Sequence, residues 1–104
     1  AVGSGALLFD ASTNTLTVSV RTSGVASATA AHVHRGAFGT NGPIVFGLTG
    51  GPNDWTGSGV LTAADVANLR NEGLYVNVHS STFPGGEIRG QITLPPIVIN
   101  EFQY

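Results

Sequence analysis

Residues 29–36 read TAAHVHRG, so His32 and His34 stand one residue apart in a chain that has three histidines. The third, His79, closes another extended-looking segment, LYVNVH at 74–79. On a strand, alternate residues share a face, and two steps along it cover roughly 6–7 Å. His32 and His34 therefore project the same way, near enough for both imidazoles to converge on one ion. In 29–35 the apolar pair Ala31 and Val33 takes the core face. In 74–79 Leu74, Val76 and Val78 do the same, leaving Tyr75, Asn77 and His79 on the opposite face. If the two strands are neighbours, His79 becomes a third ligand. Three neutral imidazoles with an open position suit copper or zinc. The competing reading is three polar residues on the wet side of a sheet.

Other residues fall around this trio. Tyr75 and Asn77 share the face of His79, where they can orient an imidazole ligand. Glu87 and Arg89 alternate on one face of EIRGQITL at 87–94, either in the same supporting role or as a weak surface pair. Trp55 and Phe46 read as core. Asn53-Asp54 offers two oxygens where calcium takes six to eight. GTNGP at 39–43 lacks the helix and lysine of a phosphate loop and reads as a turn. No Ser–His–Asp arrangement is evident, so no catalytic residue is assigned.

Composition narrows the classes. With 104 residues the chain is one domain with one core. Net charge is −2, and the four basic residues, all arginine, are scattered at 21, 35, 70 and 89, which leaves no basic patch for nucleic acid or an anionic membrane. No apolar run approaches the ~20 residues of a membrane span. Zero cysteine removes disulfides and thiolate ligands, so any metal must rest on histidine, carboxylate or backbone. A lysine-free, Gly/Thr/Ser/Asn-rich chain starting at Ala1 without a methionine fits a processed, extracellular protein.

The positioning elements are short strands. GALLFD (5–10), the turn ASTN and TLTVSVRT (15–22) form a hairpin, followed by strands at 29–35, 44–48, 56–61, 74–79 and 87–94. Thr62-x-x-Asp65 opens one short helix over about 62–72, with Val66 and Leu69 facing the core and Gly73 ending it. The expected fold is an all-β sandwich of seven to eight strands with one short helix.

AHVHRGAFGTNGPIVF (31–46) and LYVNVHSSTFPGGEIRGQ (74–91) resemble two blocks of the CHRD (chordin-type) domain family, and the likeness runs over roughly 4–94. The arrangement is also similar to copper/zinc superoxide dismutase, which implies an immunoglobulin-like sandwich. On that likeness His32 and His34 match its His-x-His copper ligands and His79 its later Val-His ligand, with Arg89 in the corresponding region. A bridging histidine, a zinc-ligand cluster and a cysteine pair have no counterparts. The resemblance thus implies a mononuclear copper site, copper ahead of zinc, in a structural module; the departures weigh against dismutase activity, and a copper oxidoreductase of dismutase type and a metal-free adhesive domain are the alternatives. CHRD domains resemble one another in a first strand of the type L-S-G-x-x-E-V-P-P, absent here. A surplus strand follows Pro95-Pro96, with Ile97, Val98, Ile99, Phe102 and Tyr104 as its apolar residues. The reading is a domain over 1–94 and a tail over 95–104 that fills the gap. Inserted into a second copy it builds an extracellular filament; folded back it leaves a monomer; the resemblance of VINEF to the first strand of lamin-tail domains makes it the start of another domain.

Overall fold

The computed structural model describes residues 2–25, 27–93 and 98–102. Eight strands and one helix follow in the order β1 (Val2–Asp10), β2 (Thr15–Ser23), β3 (Ala28–Arg35), β4 (Ile44–Gly50), β5 (Asp54–Val60), α1 (Ala63–Arg70), β6 (Leu74–Ser80), β7 (Ile88–Thr93) and β8 (Val98–Phe102). The chain is all-β with one short helix, as its strand-length apolar runs and frequent turn residues require. Every strand pairing is antiparallel.

The strand order is β1-β2-β5-β4-β3-β6-β7-β8, and β8 returns to β1 to close the ring. The strands form two four-stranded faces, β8-β1-β2-β5 and β4-β3-β6-β7. At the corners only short ladders join them: Thr49↔Thr56 and Gly50↔Trp55 at one, Ile92↔Ile99 and Thr93↔Val98 at the other. The architecture is a sandwich whose edges are stitched, which removes the unpaired backbone that an open edge would expose.

The β1–β2 hairpin runs in unbroken register from Val2↔Ser23 to Asp10↔Thr15. Its turn is set by Asp10, whose carboxylate accepts from the Ser12 N–H (2.9 Å) and hydroxyl (2.6 Å), and by Asn14 at φ 56°. Period-2 alternation sends Leu16, Val18 and Val20 inward, at 0–3% exposure. From the other face Ala31, Val33, Leu74, Val76, Val78, Ile88 and Ile92 complete the core, and Trp55 joins it while Phe46 packs against it. Helix α1 begins as the sequence indicates, with the Thr62 side chain accepting from the Asp65 N–H at 3.2 Å. Leu69 is buried and Val66 partly buried against the core. Its end differs from expectation. Asn71 caps it, and Glu72, rather than Gly73, takes the left-handed conformation (φ 59°), with the Gly73 N–H returning to the Asn68 carbonyl at 2.7 Å.

The C-terminal strand β8 lies in the seam of its own chain, Gly3↔Phe102, Gly5↔Ile99 and Ala6↔Val98 on one side and β7 on the other. Of the tail residues singled out from the sequence, Ile97 and Tyr104, with Pro95 and Pro96, lie outside the described residues. Among the described residues no helix is long and apolar enough to cross a membrane.

Candidate metal centre

Strands β3 and β6 are direct neighbours, in the register His34↔Tyr75, His32↔Asn77 and Ala30↔His79. The parity that sends Val33, Val76 and Val78 into the core places all three histidines on the outer face. There they converge: ring centroids lie 4.9 Å (His32–His79), 5.5 Å (His32–His34) and 5.7 Å (His34–His79) apart, and one nitrogen from each ring falls within 4.8 Å of the others.

The face is covered in part: His34 is buried, while His32 and His79 are half-buried. Two loops fold over it, 36–43 between β3 and β4 and 81–87 between β6 and β7. His34 is 7% exposed, and on β6 Tyr75 and Asn77 are buried at 1% and 3%. This buried outer face is why β6 is enclosed on both sides.

The loops also fix the tautomers. The Nδ1 of His34 lies 2.9 Å from the Gly42 carbonyl oxygen, and that of His79 lies 2.9 Å from the Pro84 carbonyl oxygen. A carbonyl only accepts, so each Nδ1 carries the hydrogen and each Nε2 presents a lone pair. The His34 Nε2 is buried without a hydrogen-bond partner. A buried, unsatisfied acceptor costs about 1–3 kcal/mol unless something fills it. His32 has no carbonyl of its own. Its Nδ1 stands 3.0 Å from the His79 Nε2 and, that nitrogen being an acceptor, donates to it. An ion here would be held by the Nε2 atoms of His34 and His79 and by the His32 Nδ1, whose hydrogen would move to Nε2.

Burial, above all, pushes the pKa values of His32 and His34 down. The neighbouring imidazoles add to the shift at both, and the Arg89 charge adds at His34, against a rise from the Gly42 carbonyl. Both are therefore neutral, the form that binds metal.

Side chains from β6 and β7 pin the loops. For 36–43, the Gly42 N–H donates to the Tyr75 hydroxyl (3.0 Å), Arg89 donates to the Ala37 carbonyl (2.9 Å) and Asn41 Oδ1 (3.3 Å), and the Gln91 amide donates to the carbonyls of Gly36 (2.9 Å) and Glu72 (2.6 Å). Tyr75 stacks on His34 at 5.0 Å and 8° between planes. For 81–87, Asn77 donates to the Gly85 carbonyl (3.2 Å), and Ser80 Oγ donates to Glu87 (2.8 Å) while accepting from the Phe83 N–H (3.1 Å). Glu87 and Arg89 thus serve different loops, and no ion pair joins them among the described residues. Gln91 and Ser80 are supporting residues that sequence reasoning missed. The parity of Gln91 with Arg89, two positions away on β7, was the available signal.

Next to His34, Arg35 makes a two-pronged pair with Asp65 on α1, at 2.6 and 2.8 Å. The Arg35 guanidinium, aided by hydrogen bonds from Asn68 and Thr62, holds the Asp65 carboxyl below the usual carboxylate range despite its burial. Asp65 was legible as a helix-start residue; its partner, 30 positions away, was not.

The family model of the CHRD domain matches residues 1–92, a span that holds all three histidines and ends before β8. No curated protein and no solved structure matches the chain.

Proposed function

The chain belongs to the CHRD domain family, and on that premise we propose that it is a secreted, copper-binding structural module that assembles through its C-terminal strand. The observation that supports the metal reading is the three-imidazole cluster with the His34 Nε2 buried, partnerless and turned by its tautomer into a donor. The donor set fits copper: all nitrogen, with the His34 and His79 rings fixed in orientation by backbone carbonyls. Zinc is the lesser candidate. Bound copper would supply a redox-active Lewis acid. The chain itself orients His34 and His79, lowers the proton affinity of His32 and His34 by burial, and packs two loops against the site. Localisation outside the cell accords with the occurrence of CHRD domains in extracellular proteins.

The test is copper titration of the metal-free chain against His79→Ala. Uptake of about one equivalent, weakened at least tenfold in the variant, supports the site. Full affinity in the variant removes it. Superoxide turnover above that of free copper would replace the structural reading with an oxidoreductase. Thermal stability unchanged by added copper or zinc would favour a metal-free adhesive domain.

Assembly requires β8, folded back here as in the monomer, to exchange between copies. The strand lies beyond the family match, yet it fills the seam between β1 and β7. A strand that pairs in its own seam makes the same backbone bonds in a second copy, and repeated head-to-tail donation generates an open filament. Removing residues 95–104 is expected to abolish assembled particles in size-exclusion chromatography and electron microscopy. Particles persisting after the deletion would refute strand exchange.

A further inference from the structure

Resting on the copper reading above, we propose that Arg89, acting through Tyr75, biases the site toward monovalent ions, so that copper is held chiefly as Cu(I). The Arg89 guanidinium carbon lies 3.5 Å from the centre of the Tyr75 ring, and the other stacked partner of that ring is His34, at 5.0 Å and nearly parallel. Two planar groups at these distances cannot share one face of a phenol. The ring is therefore sandwiched, guanidinium on one side and ligand imidazole on the other.

Among the described residues no carboxylate is in ion-pair distance of Arg89, whose donors go to the Ala37 carbonyl and the side-chain oxygens of Asn41 and Gln91. Among the described residues no carboxylate joins the histidine cluster. Asp65 is paired with Arg35, and Glu87, which accepts from the Ser80 hydroxyl, keeps its charge but turns to the 81–87 loop, away from the Tyr75–Arg89 stack. Between cation and ligand lies a phenol 1% exposed, which keeps water off the direct path, while the half-buried Arg89 remains screened on its outer side.

Two effects then act in one direction. The cost of burying an ion grows with the square of its charge, about fourfold greater for a dication than for a monocation of equal size. The repulsion from Arg89 grows linearly with the ion's charge. Neutral imidazoles offset neither in the way a carboxylate ligand would. At the effective dielectric of protein sites, one fixed charge at roughly 10 Å changes the preference between Cu(I) and Cu(II) by about tenfold. For this one-electron couple tenfold is 59 mV.

The experiment is anaerobic competition titration of the full chain with Cu(I), Cu(II) and Zn(II), alongside Arg89→Gln and Arg89→Lys. The expected result is tighter binding of Cu(I) than of Zn(II) by the wild type. The Cu(I):Cu(II) affinity ratio should fall about tenfold in Arg89→Gln and remain nearer wild type in Arg89→Lys, which keeps the charge. An unchanged ratio in Arg89→Gln, or equal weakening of both oxidation states, would make Arg89 only an anchor of the 36–43 loop and overturn the inference. Should Arg89→Gln fail to fold, tighter Zn(II) than Cu(I) binding by the wild type would overturn it alone. Failure of the wild type to bind any of the three ions would instead strike the copper reading.

Discussion

Replacing Gly42 by alanine separates the support of the site from its ligands. The Gly42 carbonyl accepts from His34 Nδ1 and its N–H donates to the Tyr75 hydroxyl, so one backbone unit holds both stacked rings. A β-carbon here would run into the Arg35 carbonyl group, which is backbone of β3 and cannot swing aside. The loop must lift. Losing the two hydrogen bonds costs about 1 kcal/mol each, and a His34 N–H left buried without a partner adds up to a further ~2 kcal/mol. Gly42→Ala should therefore destabilise the metal-free chain by about 2–4 kcal/mol. It should also weaken copper about 10- to 100-fold, the usual effect of removing the group that orients a histidine ligand. Urea denaturation of the metal-free chain reads the first number, and competition titration with a copper chelator reads the second. A variant within ~0.5 kcal/mol of wild type and with unchanged affinity would show that the carbonyl does not orient His34.

Four further outcomes follow from the same geometry. Asp65→Asn should cost about 1–3 kcal/mol by thermal or urea denaturation, because the Arg35 guanidinium keeps one charged partner fewer and the Asp65 side chain is nearly buried. The wild-type pair should hold its full contribution above about pH 4 and lose it on further acidification, since Asp65 sits below its ordinary 3.8 in the folded chain and the unfolded chain takes up the proton first. His32 and His34 carry the same sign at higher pH. Their values are lowered by burial from 6.5, so the unfolded chain binds protons that the folded chain refuses. Stability of the metal-free protein should be flat above about pH 7 and fall as pH drops below 6.5; a rise on acidification through that window would contradict the burial seen here. Gly86→Ala should loosen the second loop and lower copper affinity, since Gly86 sits at φ 127° and an added β-carbon would meet the Asn77 amide; unchanged affinity would detach that loop from the site.

The histidine geometry was legible because a strand has a period of two: Val33 and Val76 facing inward put His32, His34 and His79 outward whatever the rest of the fold does. The burial of that outward face was not, because it depends on where two loops settle. The groups that fix the imidazoles, the carbonyls of Gly42 and Pro84, are backbone atoms with no side-chain signature. The residues that pin the first loop reach across 52 and 55 positions, Arg89 to Ala37 and Gln91 to Gly36, and no local pattern announces such contacts. The same limit applies to Asp65, whose cap role is local and whose ion pair is not. In the tail, alternation marked a strand and the missing first strand marked a gap for it to fill; which copy's gap it fills, and that β7 is its second neighbour, emerged only from the fold.

The central claim is that His32, His34 and His79 together hold one copper ion. The most direct measurement is to add one equivalent of Cu(I) to the 15N-labelled metal-free chain and follow the imidazole nitrogens by NMR. Direct binding should move the Nε2 signals of His34 and His79, leave their Nδ1 atoms protonated, and carry the His32 hydrogen from Nδ1 to Nε2. Unmoved imidazole signals at saturating copper, or uptake that leaves His32 with its hydrogen on Nδ1, would contradict the three-histidine site.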